Sequence, residues 1–124
     1  MQFQIICIAK KLTESLDYDA YVIKIRAADV FDADGSDDVW LFIKTIAEGG
    51  AKKLIIDMDA LEFIDSYGIG VLINAAKLLR SKQGDIALLN VASKIEIIFR
   101  PVKLDRFIKT FSTEADALNF FRYV

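Results

Sequence analysis

Apolar and polar residues change period several times along the chain, and each change marks an element. Phe3 to Ala9 and Tyr21 to Ala27 read as strands separated by a polar turn from Lys10 to Asp19. In the second, Val22, Lys24 and Arg26 alternate with Ile23, Ile25 and Ala27, the period of a half-buried strand. From Asp37 the period becomes helical, with Val39, Phe42, Ile43 and Ile46 at i, i+3, i+4 and i+7. Ser36 and the two aspartates after it suit the start of that helix, and Gly49-Gly50 its end. Leu54-Ile55-Ile56 is a continuous apolar run, so Lys53 to Met58 is expected as a buried strand, followed by a short apolar link.

A second helix is expected from Ser66 to Lys82, with Leu72, Ala75, Ala76 and Leu79 on one stripe and Gly84 terminating it. Asp85 to Asn90 is another buried strand, and Ser93 to Phe99 a short helix stopped before Pro101. Phe107 to Phe111 is a last strand. Thr113, with Asp116 three residues on, opens a final helix whose apolar side uses Ala117, Leu118, Phe120 and Phe121. The order β-β-α-β-α-β-α-β-α joins a hairpin to parallel crossovers. The expected class is α/β: one domain over residues 1–124, with a mixed, mostly parallel sheet and about four α-helices covering at least one face.

Composition narrows the chemistry. The chain has 124 residues, 54% of them hydrophobic, which suffices for a core. Lys plus Arg number 16 against 18 Asp plus Glu, so the basic footprint of a nucleic-acid binder is missing. The longest uncharged stretch, Ser66 to Ala76, is 11 residues, too short for a membrane-spanning helix. No basic region precedes an apolar start, so no signal peptide is expected. With no His there is neither Ser-His-Asp nor Cys-His catalysis, and no imidazole metal site. The one Cys, Cys7, reads as core and fits a reducing cytoplasm. A binding module without catalysis of its own, cofactor or metal is what remains.

The informative segment is Leu54 to Leu72. Gly68 and Gly70 stand early in a helix, where each glycine costs about 1 kcal/mol relative to alanine. Either they allow close packing of helix on sheet, or they leave backbone bare for a partner. Asp65 and Ser66 also read two ways. Asp65 is an N-cap with Ser66 a tolerated first helical residue, or Ser66 is a hydroxyl at the positive end of a helix, where a phosphate could rest on the dipole and free amides.

Leu54-Ile55-Ile56-Asp57, then Phe63-Ile64-Asp65-Ser66, then Gly68-Ile69-Gly70-Val71-Leu72, resemble the signature of the STAS domain, in particular that of bacterial anti-sigma-factor antagonists. The Gly84 turn, Leu88-Leu89-Asn90 and Leu104-Asp105-Arg106-Phe107 are similar to that family too, so the resemblance spans about residues 20 to 121. It implies a phosphorylation-controlled protein switch. Ser66 is by position the residue phosphorylated by an anti-sigma factor that is also a serine kinase of the histidine-kinase-like ATPase type. The unphosphorylated form binds that kinase and frees the sigma factor; phosphorylation breaks the complex, and a PP2C-type phosphatase restores it. The resemblance implies a partner surface of Asp65, Ser66, Tyr67, Gly68 and Ile69, with Asp32. The alternative it leaves is a non-catalytic STAS subunit of another assembly, a stressosome-like scaffold or a lipid-transport complex. Two departures stand out: Tyr67 replaces the usual small residue after the phosphoacceptor, and the family's Gly-x-Leu/Phe-Asp is degenerate as Ala27-Ala28-Asp29-Val30-Phe31-Asp32, with five aspartates over residues 29 to 38.

Three other motifs dissolve on inspection. Asp32 to Asp38 invites calcium, yet against the EF-hand pattern Gly35 is at position 4 instead of 6, and Ile43 occupies position 12. Gly68-x-Gly70 lacks the third glycine of a dinucleotide fingerprint, since Ile73 stands there. Asp57 at a strand end resembles a phospho-receiver aspartate, but Phe3 to Lys11 lacks the acidic pair such domains need for Mg²⁺. Trp40, Leu41 and Phe120 fall partly off their core stripes.

Overall fold

The computed structural model describes residues 3–4, 10–11 and 21–122. Strands β1 (Phe3–Gln4) and β2 (Lys10–Lys11) both pair antiparallel with β3 (Tyr21–Phe31). Helix α1 (Ala33–Glu48), β4 (Lys53–Ile64), α2 (Ser66–Ser81), β5 (Asp85–Leu89), α3 (Ser93–Phe99), β6 (Lys109–Phe111) and α4 (Glu114–Phe121) follow. The sheet runs β1-β3-β4-β5-β6, and β3 to β6 are mutually parallel. This is the expected α/β class with a mixed, mostly parallel sheet.

Burial explains the layering. On β4, Leu54, Ile56, Met58, Leu61 and Ile64 join Val39 and Ile43 of α1, Leu72 and Leu79 of α2, and Ile95 and Phe99 of α3 in the main core. Ile55, facing the other way, joins Val22, Ala87 and Leu89 under Ala117 and Phe121 of α4. Three helices therefore cover one face and the last covers the other. Leu41 is exposed, Trp40 is half-buried beside Lys44, and Phe120 packs on Phe111 and Phe121.

Several boundaries differ from the sequence reading. Lys10 and Lys11, expected in a turn, are paired with Val22 and Tyr21, because strand pairing uses backbone groups that lysine supplies as well as any residue. The remainder of the expected first strand and turn, with Cys7, lies outside the described residues. Helix α1 starts at Ala33, not near Asp37, because Asp32 caps it and the small Gly35 and Ser36 are buried in its first turns. Those residues carry no hydrophobic signal. Strand β4 continues through the expected link to Ile64, pairing with β3 as far as Phe31. Register shifts near Asp29, at φ 63°, put Met58, Leu61 and Ile64 inside at three-residue spacing, which hides the strand period. Strand β6 begins at Lys109 because Leu104–Arg106 forms a 3-10 turn whose Leu104 carbonyl accepts the N–H groups of Phe107 and Ile108.

Gly84 follows α2 as expected, for a different reason. The left-handed residue there is Gln83, at φ 65°. A Cβ on Gly84 would lie 1.8 Å from the carbonyl oxygen of Lys52, so the chain needs glycine there to enter β5 alongside the start of β4.

Candidate functional site

Strands β3 and β4 end side by side, with Phe31 opposite Ile64, and each leads through one aspartate into a helix. Asp65 is extended, at φ −104° and ψ −174°, and its N–H donates to the Phe31 carbonyl at 3.1 Å. Its Oδ1 accepts the N–H groups of Tyr67 at 2.9 Å and Gly68 at 3.0 Å. Its Oδ2 accepts the N–H of Ala33, the first residue of α1, at 3.2 Å. Asp32 caps α1 in turn, taking the N–H of Asp34 at 3.1 Å. Two helix N-termini thus converge beyond the carboxyl ends of two parallel strands.

Geometry bears on both readings of this segment. Asp65 is the cap, and the Tyr67 and Gly68 amides that a phosphate could use are taken by its carboxylate. Gly68 is needed for packing, since a Cβ there would lie 2.6 Å from the Phe31 carbonyl oxygen and 2.7 Å from Ile64 Cγ1. Gly70 has open space, with nothing within 4 Å of a Cβ.

The six residues expected to meet a partner divide accordingly. Asp32, Asp65, Ser66 and Tyr67 come together at the junction, Ser66 exposed and Tyr67 at 64% exposure. Gly68 is buried, and Ile69 is only 8% exposed and packs in the main core. Ile69 follows Ser66 by three residues in α2, but its side chain turns toward the sheet and is not available at the surface. Phe63, 48% exposed and two residues before the cap, is a further exposed apolar side chain that the sequence reading did not count among the partner residues. Its position on β4 was disguised by the irregular burial period.

A second polar cluster lies on the face of α4. Asp57, only 7% exposed, pairs with Lys24 at 3.6 Å and accepts from Asn90 Nδ2 at 3.3 Å and the Asp59 N–H at 3.1 Å. Lys24 also reaches Glu114 at 3.4 Å, tying α4 to the sheet. So engaged, and lying within β4 rather than at its end, Asp57 ties neighbouring strands together. Beside it, Arg26 Nε donates to Asp59 Oδ1 at 3.0 Å. That hydrogen bond, helped by the opposite charge, holds the Asp59 carboxyl below its ordinary range and raises the Arg26 guanidinium.

Among the described residues no group of three or more His, Cys, Asp or Glu side chains is placed to hold a metal ion. No helix there is long and apolar enough to cross a membrane.

Residues 5–117 match the family model of the STAS domain. A Thermotoga neapolitana protein, named as a homologue of a provisionally assigned anti-sigma factor antagonist, is 33% identical over 79 residues, 64% of this chain and 69% of its own. That antagonist, TM1081 of Thermotoga maritima, has a solution structure that superposes with TM-score 0.78 at 22% identity, over 93% of this chain and 91% of the other. The anti-sigma factor antagonist SpoIIAA in its unphosphorylated form superposes with TM-score 0.68 at 22% identity, over 99% of this chain and all of the other. The same protein, a Bacillus cell-fate determinant, is also known in a phosphorylated form.

Proposed function

The chain belongs to the STAS domain family, and we propose that it acts as an anti-sigma factor antagonist switched by phosphorylation of Ser66. The observation that carries this reading is the exposed Ser66 hydroxyl next to Asp65, at the junction of two helix N-termini whose nearest amides are already capped. Relatives named as anti-sigma factor antagonists support it.

In the unphosphorylated state the surface around Asp32, Asp65, Ser66 and Tyr67 docks on an anti-sigma factor and sequesters it. That partner is a serine kinase of the histidine-kinase-like ATPase type and brings its own ATP. Ser66 Oγ attacks the γ-phosphorus, a new O–P bond forms as the bond to ADP breaks, and the hydroxyl proton passes to a base supplied by the kinase. The product carries about −1.5 to −2 additional charges. Because the Tyr67 and Gly68 N–H groups are held by Asp65, those charges are not drawn into the first turn but stand in the interface beside a carboxylate. Like-charge repulsion and desolvation then oppose docking while the fold stays intact. A PP2C-type phosphatase hydrolyses the ester and resets the cycle in the cytoplasm.

The test is incubation with the recombinant kinase of the source organism and ATP, followed by peptide mass mapping. One phosphate on Ser66 is expected. Phosphate on Ser93, Ser112 or Asp57 with Ser66 clean overturns the assignment.

A further inference from the structure

Strands β5 and β6 lie side by side and parallel, yet the chain leaves them toward opposite faces of the sheet. Strand β5 leads into α3, which packs in the main core, and β6 leads into α4, on the other face. Strands β3 and β4 both lead to helices of the first face, so among the described parallel strands only β5 and β6 diverge. Connections that leave adjacent strands in opposite directions open a crevice at their carboxyl ends, the usual place for a ligand in an open α/β sheet. A cavity of about 550 Å³ lies there. It is lined by Asn90 and Ser112, which directly follow the two strands, and by Phe111. Three charged side chains complete it: Glu96 of α3, Arg100 just after that helix, and Asp105 of the 3-10 turn. Glu96 and Arg100 stand one helical turn apart, a spacing at which ion pairs ordinarily form. Yet neither they nor Asp105 make an ion pair or a side-chain hydrogen bond among the described residues. Asn90 is fixed from outside the cavity, its N–H donating to the Phe111 carbonyl at 3.0 Å and its Nδ2 to Asp57 at 3.3 Å. Its side-chain oxygen is left to accept.

We propose that this crevice binds a small zwitterion of the α-amino-acid class, its carboxylate on the Arg100 guanidinium and its ammonium on Glu96 and Asp105. The unpaired charges select the ligand. A guanidinium takes a carboxylate through two parallel hydrogen bonds. An ammonium has three N–H groups to satisfy, and the two carboxylates, with Asn90 Oδ1 and the Ser112 hydroxyl, supply the acceptors. A phosphate or nucleotide brings its negative charges against two carboxylates, and a diamine leaves Arg100 facing a like charge, so both are disfavoured. Half-buried Phe111 offers an apolar wall to a ligand side chain. Ser66 lies elsewhere, beyond the ends of β3 and β4, and the proposal stands whether or not the chain is an antagonist.

Amide NMR spectra of the full chain, recorded with each common L-α-amino acid in turn at about 10 mM, test this. A site of millimolar Kd is then about nine-tenths filled. At least one amino acid is expected to shift the amides of Asn90, Val91, Arg100 and Ser112 saturably and to raise the melting temperature. Its N-acetyl derivative and its carboxamide each lack one of the two charges, and both are expected to bind about tenfold more weakly or worse. Arg100→Gln and Glu96→Gln are expected to weaken binding by about the same factor, while the free variants melt like wild type because both side chains are exposed. The comparison of derivatives decides even where a variant melts lower. Absence of a saturable shift with every amino acid overturns the proposal, as do shifts that map away from the crevice. Equal binding of either derivative, unchanged binding by both folded variants, or inorganic phosphate bound in preference to every amino acid overturns it too, because the two opposite charges are then not what the crevice reads.

Discussion

The carboxylate of Asp65 accepts the backbone N–H of Ala33 at 3.2 Å, so the side chain that caps α2 also closes the start of α1. Asp65→Ala leaves three N–H groups without their acceptor, whereas Asp32→Ala frees one. An N-cap loss costs about 0.5–2 kcal/mol, and the link to the second helix adds to it. Urea denaturation is expected to show a loss of about 1–3 kcal/mol for Asp65→Ala, clearly larger than for Asp32→Ala. Asp65→Asn falls between, because an amide can accept from Tyr67 and Gly68 but then presents a donor to the Ala33 donor. If Asp65→Ala costs no more than Asp32→Ala, the bond to Ala33 contributes nothing.

Gly68 and Gly70 look alike in sequence and should respond oppositely to one methyl group. At Gly68 a Cβ meets backbone oxygen at 2.6 Å, and the Phe31 carbonyl cannot retreat because it sits on a paired strand and accepts from Asp65. Gly68→Ala should therefore lose about 1–3 kcal/mol. Gly70→Ala enters open space in a helix and should gain about 0.5–1 kcal/mol. Equilibrium unfolding of the two variants under one set of conditions decides the matter; loss at both would mean α2 lies closer to a neighbour at Gly70 than described.

Local chemistry at the site was legible. Aspartate before an apolar-periodic run is an N-cap signal, and Asp65 with Ser66 opens α2 where that signal placed it. The short helix Ser93–Phe99 was equally plain, bounded by its apolar side and by Pro101. What sequence could not supply was long-range. Ala33 meets Asp65 across 32 residues only after β3 and β4 have paired, so the joining of two caps has no local signature. Whether a glycine is packed or bare depends on which strand passes beneath it, which is why Gly68 and Gly70 stayed equivalent until Phe31 was placed. The burial of Ile69 follows from the same placement, since α2 is oriented by its contact with β3 as much as by its own stripe.

The pair Arg26–Asp59 gives an acid-side dependence. Asp59 is held below its ordinary value of 3.8 in the folded state, chiefly by the hydrogen bond from Arg26. Its contribution to stability is therefore present above the unfolded value and disappears as pH falls through the lower, folded one. Arg26→Met should return the Asp59 titration, followed by carboxyl NMR, toward the ordinary value. Any stability difference between variant and wild type should begin to shrink near pH 3.8 and close only as pH falls through the lower, folded value. The side chains are 36% and 46% exposed, so the effect is screened and should shrink further with added salt. An Asp59 titration unmoved by Arg26→Met would show that the pair does not persist in solution.

Ser66 variants separate folding from switching. Ser66→Ala removes only a hydroxyl at a helix start already capped by Asp65, so partner binding should persist and resist the kinase. Ser66→Asp and Ser66→Glu place a carboxylate at the positive end of α2, worth about 0.3–1 kcal/mol to folding, partly offset by repulsion from Asp65. These acidic variants should accordingly melt no lower than wild type. In the complex the same carboxylate is a second charge beside Asp65, and burying it unpaired should cost a few kcal/mol, roughly 100-fold or more in affinity. Stability and affinity therefore move in different directions, which an unfolding artefact cannot imitate. Calorimetry on the purified kinase partner, with melts on the same samples, measures both. If Ser66→Asp binds as tightly as wild type, or loses binding only because it unfolds, the charge at this helix start is not the switch.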